Sequence, residues 1–289
     1  MQPFISIGMP VFNCEDSLIP AIRSLINQDY TNWELILTDD GSKDNTIRFA
    51  KRFRDKRIRV FSDGQNLGLP ERLNQSIAMG QGKYFARMDG DDISYPERFK
   101  AQVNYLEKHP EIDLLGSRII IFNGQGRQLG SYPFRQTHAE ICRRPWSTFH
   151  LPHPTWMGKM DWFRSNPYRT DLKKAQDQEL LLRTYKKSQF ACLPNILLGY
   201  RKRSLSLKTI LTGRFLFSRE LVRKAFHEKQ HFLAFGAVEH AMKAVIDTVA
   251  ISTGLNYRIL RHRAIPVGQV AESRWSEVWN NFNKDKDFL

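Results

Sequence analysis

Asp89-Gly90-Asp91-Asp92 puts three carboxylates within four residues, directly after the mostly apolar run Tyr84-Phe85-Ala86-Arg87-Met88. Anionic groups gathered at the end of a buried strand are costly unless a cation sits among them. Hard oxygen ligands flanking one small residue suit Mg2+ or Mn2+ shared with a phosphate-bearing ligand. An isolated Asp-x-Asp is equally compatible with a solvated acidic turn, so the neighbours decide. Two further apolar runs end in comparable punctuation, Pro10-Val11-Phe12-Asn13 and Asp39-Asp40-Gly41-Ser42.

The elements that position these ends alternate in type. Strands are expected over 4–9 (closed by Pro10), 33–38, 57–61 and 83–88. Helices are expected over 17–28 (Asp16 as N-cap), 45–55 and 70–79. Strict alternation predicts a parallel, doubly wound sheet, and such sheets bind ligands at the carboxyl ends of their strands. All three polar ends then share one rim. Ser94-Tyr95-Pro96-Glu97 has the form of a capping box opening a helix to about residue 108. A strand over 113–122, a hairpin turn at Asn123-Gly124-Gln125-Gly126 and helices over 137–144 and 175–187 follow. An apolar segment spans 190–200, and helices are expected over 208–228, 232–252 and 272–282.

The chain has 289 residues and a net charge of +14, with 41% hydrophobic and 26% charged residues, an ordinary soluble composition. The charge is zero over residues 1–110, +6 over 111–200 and +8 over 201–289. The basic excess therefore lies away from the acidic cluster, and suits nucleic acid, an anionic membrane surface or a phosphate-linked substrate. Three dispersed cysteines (Cys14, Cys142, Cys192) argue against a disulfide framework and fit a reducing compartment. The N-terminus has no basic n-region or long apolar h-region, so no signal peptide is expected. The stretch from Phe232 to Leu255 carries Glu239, Lys243 and Asp247 and makes a poor transmembrane span. Spaced by four, these charges form a polar stripe on an apolar helix that either packs on the protein or lies on a membrane surface.

Five segments in order resemble the family-2 glycosyltransferases, inverting nucleotide-sugar enzymes of the GT-A fold. They are Ser6-Ile7-Gly8-Met9-Pro10-Val11-Phe12-Asn13, Leu37-Thr38-Asp39-Asp40-Gly41-Ser42-Lys43-Asp44-Asn45-Thr46, Asn66-Leu67-Gly68-Leu69, Gly82-Lys83-Tyr84 and Met88-Asp89-Gly90-Asp91-Asp92. The resemblance covers about residues 4–204. It implies an α/β, Rossmann-like, mixed but mostly parallel sheet flanked by helices. Residues 1–204 would be the catalytic domain, with 1–94 the nucleotide-sugar half and 95–204 the acceptor half. Residues 205–289 would be a helical C-terminal extension.

The resemblance also implies roles. Donor-binding residues would be Pro10, Phe12, Asn13, Glu15, Asp39, Asp40, Asn66, Gly68, Arg72 and Asp89. Phe12 would pack on the base and Asp39 would accept the uracil N–H, which favours a UDP-linked donor. Arg72 would meet the diphosphate or a cluster carboxylate. Mn2+ or Mg2+ would sit on Asp91, with Asp89 on the ribose or the metal. Asp177, in Ala175-Gln176-Asp177-Gln178-Glu179, matches the general base; Gln176 stands where the family commonly has glutamate, which keeps an inactive transferase in view. Glu179 and Arg183 fit a helix-surface ion pair. His153, Lys159 and Arg201 (or Arg203) are candidates for the acceptor or the diphosphate. The partners implied are a nucleotide-sugar donor and a glycan or lipid-linked acceptor. The setting implied is cytoplasmic, with peripheral contact on the inner membrane face through the basic C-terminal part, in bacterial polysaccharide or glycolipid assembly. Nucleotidyl transfer would want a glycine-rich basic loop after the first strand, where Pro10-Val11-Phe12-Asn13-Cys14-Glu15 stands instead. A nucleic-acid module would leave the acidic cluster without a role, so no nucleic-acid partner is expected.

Overall fold

The computed structural model describes residues 2–202, 206–253 and 264–283. Strands β1 (Ile5–Val11) and β2 (Trp33–Asp39) are buried at every position, as near-continuous apolar runs become when helices cover both faces of a sheet. With β3 (Ile58–Ser62) and β4 (Tyr84–Arg87) they form a parallel block ordered β3-β2-β1-β4. Helices α1 (Leu18–Ile26), α2 (Thr46–Ala50) and α3 (Leu69–Met79) make the crossovers.

Beyond β4 the sheet turns mixed. Strand β8 (Met157–Lys159) runs antiparallel to β4 and to β6 (Leu114–Phe122). The segment 190–200 is one long strand, β9 (Phe190–Arg201), parallel to β6. Short β5 (Ile93–Ser94) pairs with β9, and β7 (Gln128–Gly130) closes the expected hairpin on β6 through Gly126 at φ +83°. The mixed, mostly parallel sheet is the expected one.

Local expectations fail in instructive places. Pro10 continues β1 rather than closing it. The carbonyls of Gly8 and Val11 bond Met88 and Asp40, so by alternation the missing N–H of Pro10 faces the side where β4 has already ended. Helix α2 stops at Ala50, well short of residue 55. Ser94 is no cap: its hydroxyl accepts from the Gln28 amide at 3.1 Å and its N–H donates to Ser24 Oγ, so α4 (Arg98–Lys108) begins without a side-chain cap. A capping box forms instead at Thr137 and Glu140, opening α5 (His138–Ile141). Two further helices, α6 (Met160–Ser165) and α7 (Gln176–Thr184), complete residues 95–202.

The C-terminal helices share the core. Phe217 and Leu221 of α8 (Leu207–His227) pack with Trp156, Trp162 and Leu180, while Trp275 and Val278 of α10 (Gln269–Asn283) pack with Ile93, Ile120 and Phe122. Helix α9 (Ala234–Ser252) docks with its polar side inward. Glu239 bonds Arg144 and Ser147, Lys243 bonds Ser147, and Asp247 bonds Arg214 of α8. Its apolar side faces out, with Phe235, Val238, Met242, Val245, Ile246 and Val249 between 56% and 74% exposed. Of the two alternatives posed by the sequence, the helix packs on the protein, and it does so with an apolar side left exposed.

Candidate active site

β1, β2 and β4 are adjacent and parallel, so their carboxyl ends meet at one rim, with Val11 in register with Asp39 and Gly8 with Arg87. Asn13, in the left-handed region at φ 46°, ties the first two ends. Its Oδ1 accepts from the Lys43 N–H at 2.8 Å and its own N–H donates to Ser42 Oγ at 3.0 Å. Glu15 does the same one turn on, accepting from the Asn45 N–H and side-chain amide. Both residues therefore build the rim. Phe12, just past the end of β1, stands 46% exposed, an apolar face of the size a base stacks on.

Asp39 is buried, taking Ser62 Oγ at 2.8 Å and the Ser42 N–H. Asp40 accepts from the N–H groups of Leu67 and Gly68 and from Arg72 Nε, and the Asn66 amide donates to the Asp40 carbonyl. Gly68, at φ +92°, takes a conformation L side chains resist, with nothing but Pro70 nearby. Arg72 does not reach toward a diphosphate. Its donors are spent on Asp40, Asp63, Gln75 and the Gln65 carbonyl, and the side chain is buried, so it fastens the 63–68 loop to the rim.

The acidic cluster divides into outward and inward parts. Asp89 meets Arg87 Nη2 at 2.6 Å and stays partly exposed. Asp92 is fully buried; Oδ1 accepts from the Arg201 N–H at 2.9 Å, and Oδ2 has no hydrogen-bond partner. Burial, reinforced by Asp89 and Asp91, holds the Asp92 carboxyl well above the usual carboxylate range. Gly90 lets this turn press on β1, since a Cβ there would stand 2.9 Å from Val11 Cγ1 and 3.0 Å from Cys14 Sγ. Arg201 holds the turn by its backbone, with Nε on the Asp91 carbonyl at 2.9 Å and its guanidinium over Phe122 and Trp279. Arg203 lies outside the described residues. Among the described residues no three His, Cys, Asp or Glu side chains form a metal cage. A buried carboxylate oxygen without a partner, beside two partly exposed carboxylates, fits a cation held by one or two carboxylates and completed by substrate phosphates.

A cavity of about 710 Å3 is lined by Asp177, His153, Tyr200 and the 147–154 segment, with Arg214, His240 and Lys243 contributed by α8 and α9. Asp177 sits in the first turn of α7, which the chain enters through left-handed Ala175 at φ 59°. Gln178 fixes that turn to the cavity wall by accepting from the Phe149 N–H at 2.9 Å and from Thr148 Oγ1. Tyr200 lines the cavity, and its hydroxyl is pushed upward by burial and then by Asp92, Tyr132, Asp89 and Asp91. Glu179 and Arg183 do pair, at 3.1 Å, but the Glu179 side chain is buried rather than on the surface.

His153 joins this wall as a neutral residue. Its Nε2 pairs with the Tyr168 hydroxyl at 2.8 Å, its ring meets Trp156 edge-on, and burial with Arg87 nearby drives its pKa well down. Lys159 is elsewhere. β8 is antiparallel to β4 and sets Lys159 opposite Tyr84, at the end of the strand far from the cluster, where it pairs with Asp113 at 2.9 Å.

Sequence reasoning missed two buried arginines beneath the cluster. Arg87 has Nε and Nη1 unbonded. Arg98 donates to the carbonyls of Arg87 and Pro154 and to Gln102, joining the β4 end to the His153 turn. An arginine inside the short apolar run before Asp89 was the available signal for the first. Arg98 carried none, being indistinguishable from a helix-surface arginine.

Residues 6–166 match the model of "Glycosyl transferase family 2". The chain is 40% identical over 127 residues to the "Putative glycosyltransferase EpsE" of Bacillus subtilis (strain 168), covering 43% of this chain and 46% of that protein. It thus spans under half the length of that curated relative. Two solved structures share the fold. S. aureus TarS 1-349 in complex with UDP-GlcNAc superposes with a TM-score of 0.66 at 18% identity, covering 96% of this chain and 80% of that one. The mannosyltransferase PcManGT from Pyrobaculum calidifontis, in complex with GDP-Man and Mn2+, gives 0.60 at 15%, covering 99% and 89%. On the family match, which takes in the polar rim, the acidic cluster and the His153 turn, the chain belongs to glycosyl transferase family 2.

Proposed function

We propose that this chain is a metal-assisted, inverting glycosyltransferase that moves a sugar from a UDP-linked donor to a hydroxyl on a glycan or lipid-linked acceptor. The observation that carries the reading is the pairing of two acidic sites in one molecule: partly exposed Asp89 and Asp91 at the rim, and Asp177 in the wall of a cavity that Tyr200 also lines. Such an arrangement separates leaving-group chemistry from acceptor activation. Phe12 stacks on the base, and Asp39 and Asp40 order the loops that surround the nucleotide. Asp91, with Asp89, would hold the divalent ion, which when bound neutralises charge on the departing diphosphate. Asp177 takes the proton from the acceptor hydroxyl as that oxygen attacks the sugar from the face opposite the nucleotide. TarS in complex with UDP-GlcNAc supports a UDP-linked donor, and PcManGT in complex with GDP-Man and Mn2+ supports a nucleotide-sugar donor with a divalent ion.

A donor screen tests this reading. Purified protein with Mn2+ or Mg2+ is expected to release UDP from a UDP-linked sugar faster than nucleotide from a GDP-linked one. No nucleotide release from any donor, with or without acceptors, overturns it.

Membrane contact belongs to the same reading. No helix among the described residues is long and apolar enough to cross a membrane. The outward side of α9 is a helical apolar surface, however, and with Arg214 and Lys243 lining the cavity and Glu220 and Asp247 buried, residues 206–253 still expose Lys208, Arg219, Arg223 and Lys229. An apolar face with a basic surround matches an anionic bilayer surface. The protein should co-sediment with phosphatidylglycerol-containing vesicles more than with phosphatidylcholine alone. Phe235→Glu with Ile246→Glu should lower that binding by ~10-fold or more, since each side chain contributes roughly 1.5–3 kcal/mol of burial. Equal sedimentation of the double variant would refute the contact.

A further inference from the structure

We propose that the cavity facing Asp177 carries a phosphate-binding subsite for the acceptor, with Lys243 and Arg214 of the C-terminal helices as its cations. The inference rests on the transferase reading and specifies the acceptor's chemical class: a hydroxyl-bearing sugar linked to a phosphate or diphosphate. The lining holds Arg214, Lys243, His150 and His240, and Asp177 is its one carboxylate. The carboxylates that hold the cations lie outside the lining. Arg214 is oriented by Asp247, through Nε at 2.8 Å and Nη2 at 2.6 Å. Lys243 Nζ sits between Ser147 Oγ at 3.0 Å and Glu239 Oε1 at 2.6 Å. Arg144 takes the other Glu239 oxygen at 2.9 Å, so two cations share one carboxylate and positive charge is left over at the Lys243 corner.

Three observations point to a ligand there. The cations are held in place before anything binds, which lowers the ordering cost of charge-assisted bonds to phosphate oxygens. His150, on the same wall, is pulled down by burial and then by Arg135 and Lys243, a sign of positive field inside the cavity. Helix α9 also turns its charges inward and its apolar side to the surface, the reverse of a helix that merely covers a core. A wall that must present cations to a cavity, with its back to an apolar carrier, accounts for that inversion.

The experiment is calorimetric titration of the full chain, with the donor site first filled by UDP and Mn2+. Inorganic pyrophosphate and farnesyl diphosphate are the probes, against wild type, Lys243→Met and Lys243→Arg. Pyrophosphate should bind wild type, weaken by ~10-fold or more in Lys243→Met, and recover in Lys243→Arg. UDP affinity and thermal midpoint should stay unchanged in both variants. Tighter binding of farnesyl diphosphate than of pyrophosphate identifies a lipid-carried acceptor; equal binding identifies a soluble phosphorylated one, and both support the subsite. Equal pyrophosphate affinity in wild type and Lys243→Met, or no pyrophosphate binding to wild type that binds UDP, overturns it. Failure of UDP itself to bind counts against the transferase reading, while the pyrophosphate result still decides the subsite.

Discussion

Asp177→Asn lowers sugar transfer by ~10²–10⁴-fold and leaves UDP binding at its wild-type value. The amide keeps the shape of the side chain and cannot accept the acceptor proton. Asp177 contributes little to the scaffold: among the described residues its one side-chain hydrogen bond is a long 3.4 Å approach from the Gln178 amide, and Gln178, not Asp177, fastens the start of α7 to Thr148 Oγ1 and the Phe149 N–H. The loss should therefore fall on kcat, with donor binding across the cavity unaffected. Steady-state kinetics with a competent donor–acceptor pair, together with UDP titration, read the two quantities separately. Loss of UDP binding in Asp177→Asn would assign the residue to the donor site instead.

Arg98→Met is expected to give the largest loss of stability, ~3–5 kcal/mol by urea denaturation. Arg98 is 0% exposed, and burial pulls its guanidinium down to about 9, so it remains charged at neutral pH. It donates to the Arg87 carbonyl at 2.7 Å and to the Pro154 carbonyl at 3.1 Å. Methionine fills the volume and leaves both carbonyls without a donor, and it removes a cation that offsets Asp92 and Asp89. The two carbonyls lie on opposite halves of the site, at the end of β4 and at the His153 turn. A loss below ~1 kcal/mol would show that the turn and the strand hold their places without it.

What the sequence disclosed follows from how locally each feature is encoded. The parallel block was legible because β1, β2 and β4 are apolar runs that end in polar residues, and adjacency of their ends is a consequence of topology alone. Lys159 was misplaced because its neighbourhood depends on β8 running against β4, which a three-residue strand does not announce. Arg72 and Glu15 read as ligand-facing because their partners, Asp63 and Gln65 for one and Asn45 for the other, are set by loops with no periodicity. Ser94 read as a cap because its competing partners, Ser24 in α1 and Gln28 just after it, come from some 70 residues earlier. The cavity that Asp177 lines was hidden for a related reason. Its cations come from α8 and α9, whose polar stripe was visible in sequence but whose facing direction was not.

The central claim is that the Asp89–Asp92 turn is the floor of a metal-assisted nucleotide-sugar site, and UDP titration with and without Mn2+ tests it most directly. Wild type should bind UDP markedly more tightly with Mn2+, and Asp91→Asn should abolish that gain while its thermal midpoint stays near wild type. Metal-independent UDP binding that Asp91→Asn leaves untouched would contradict the account.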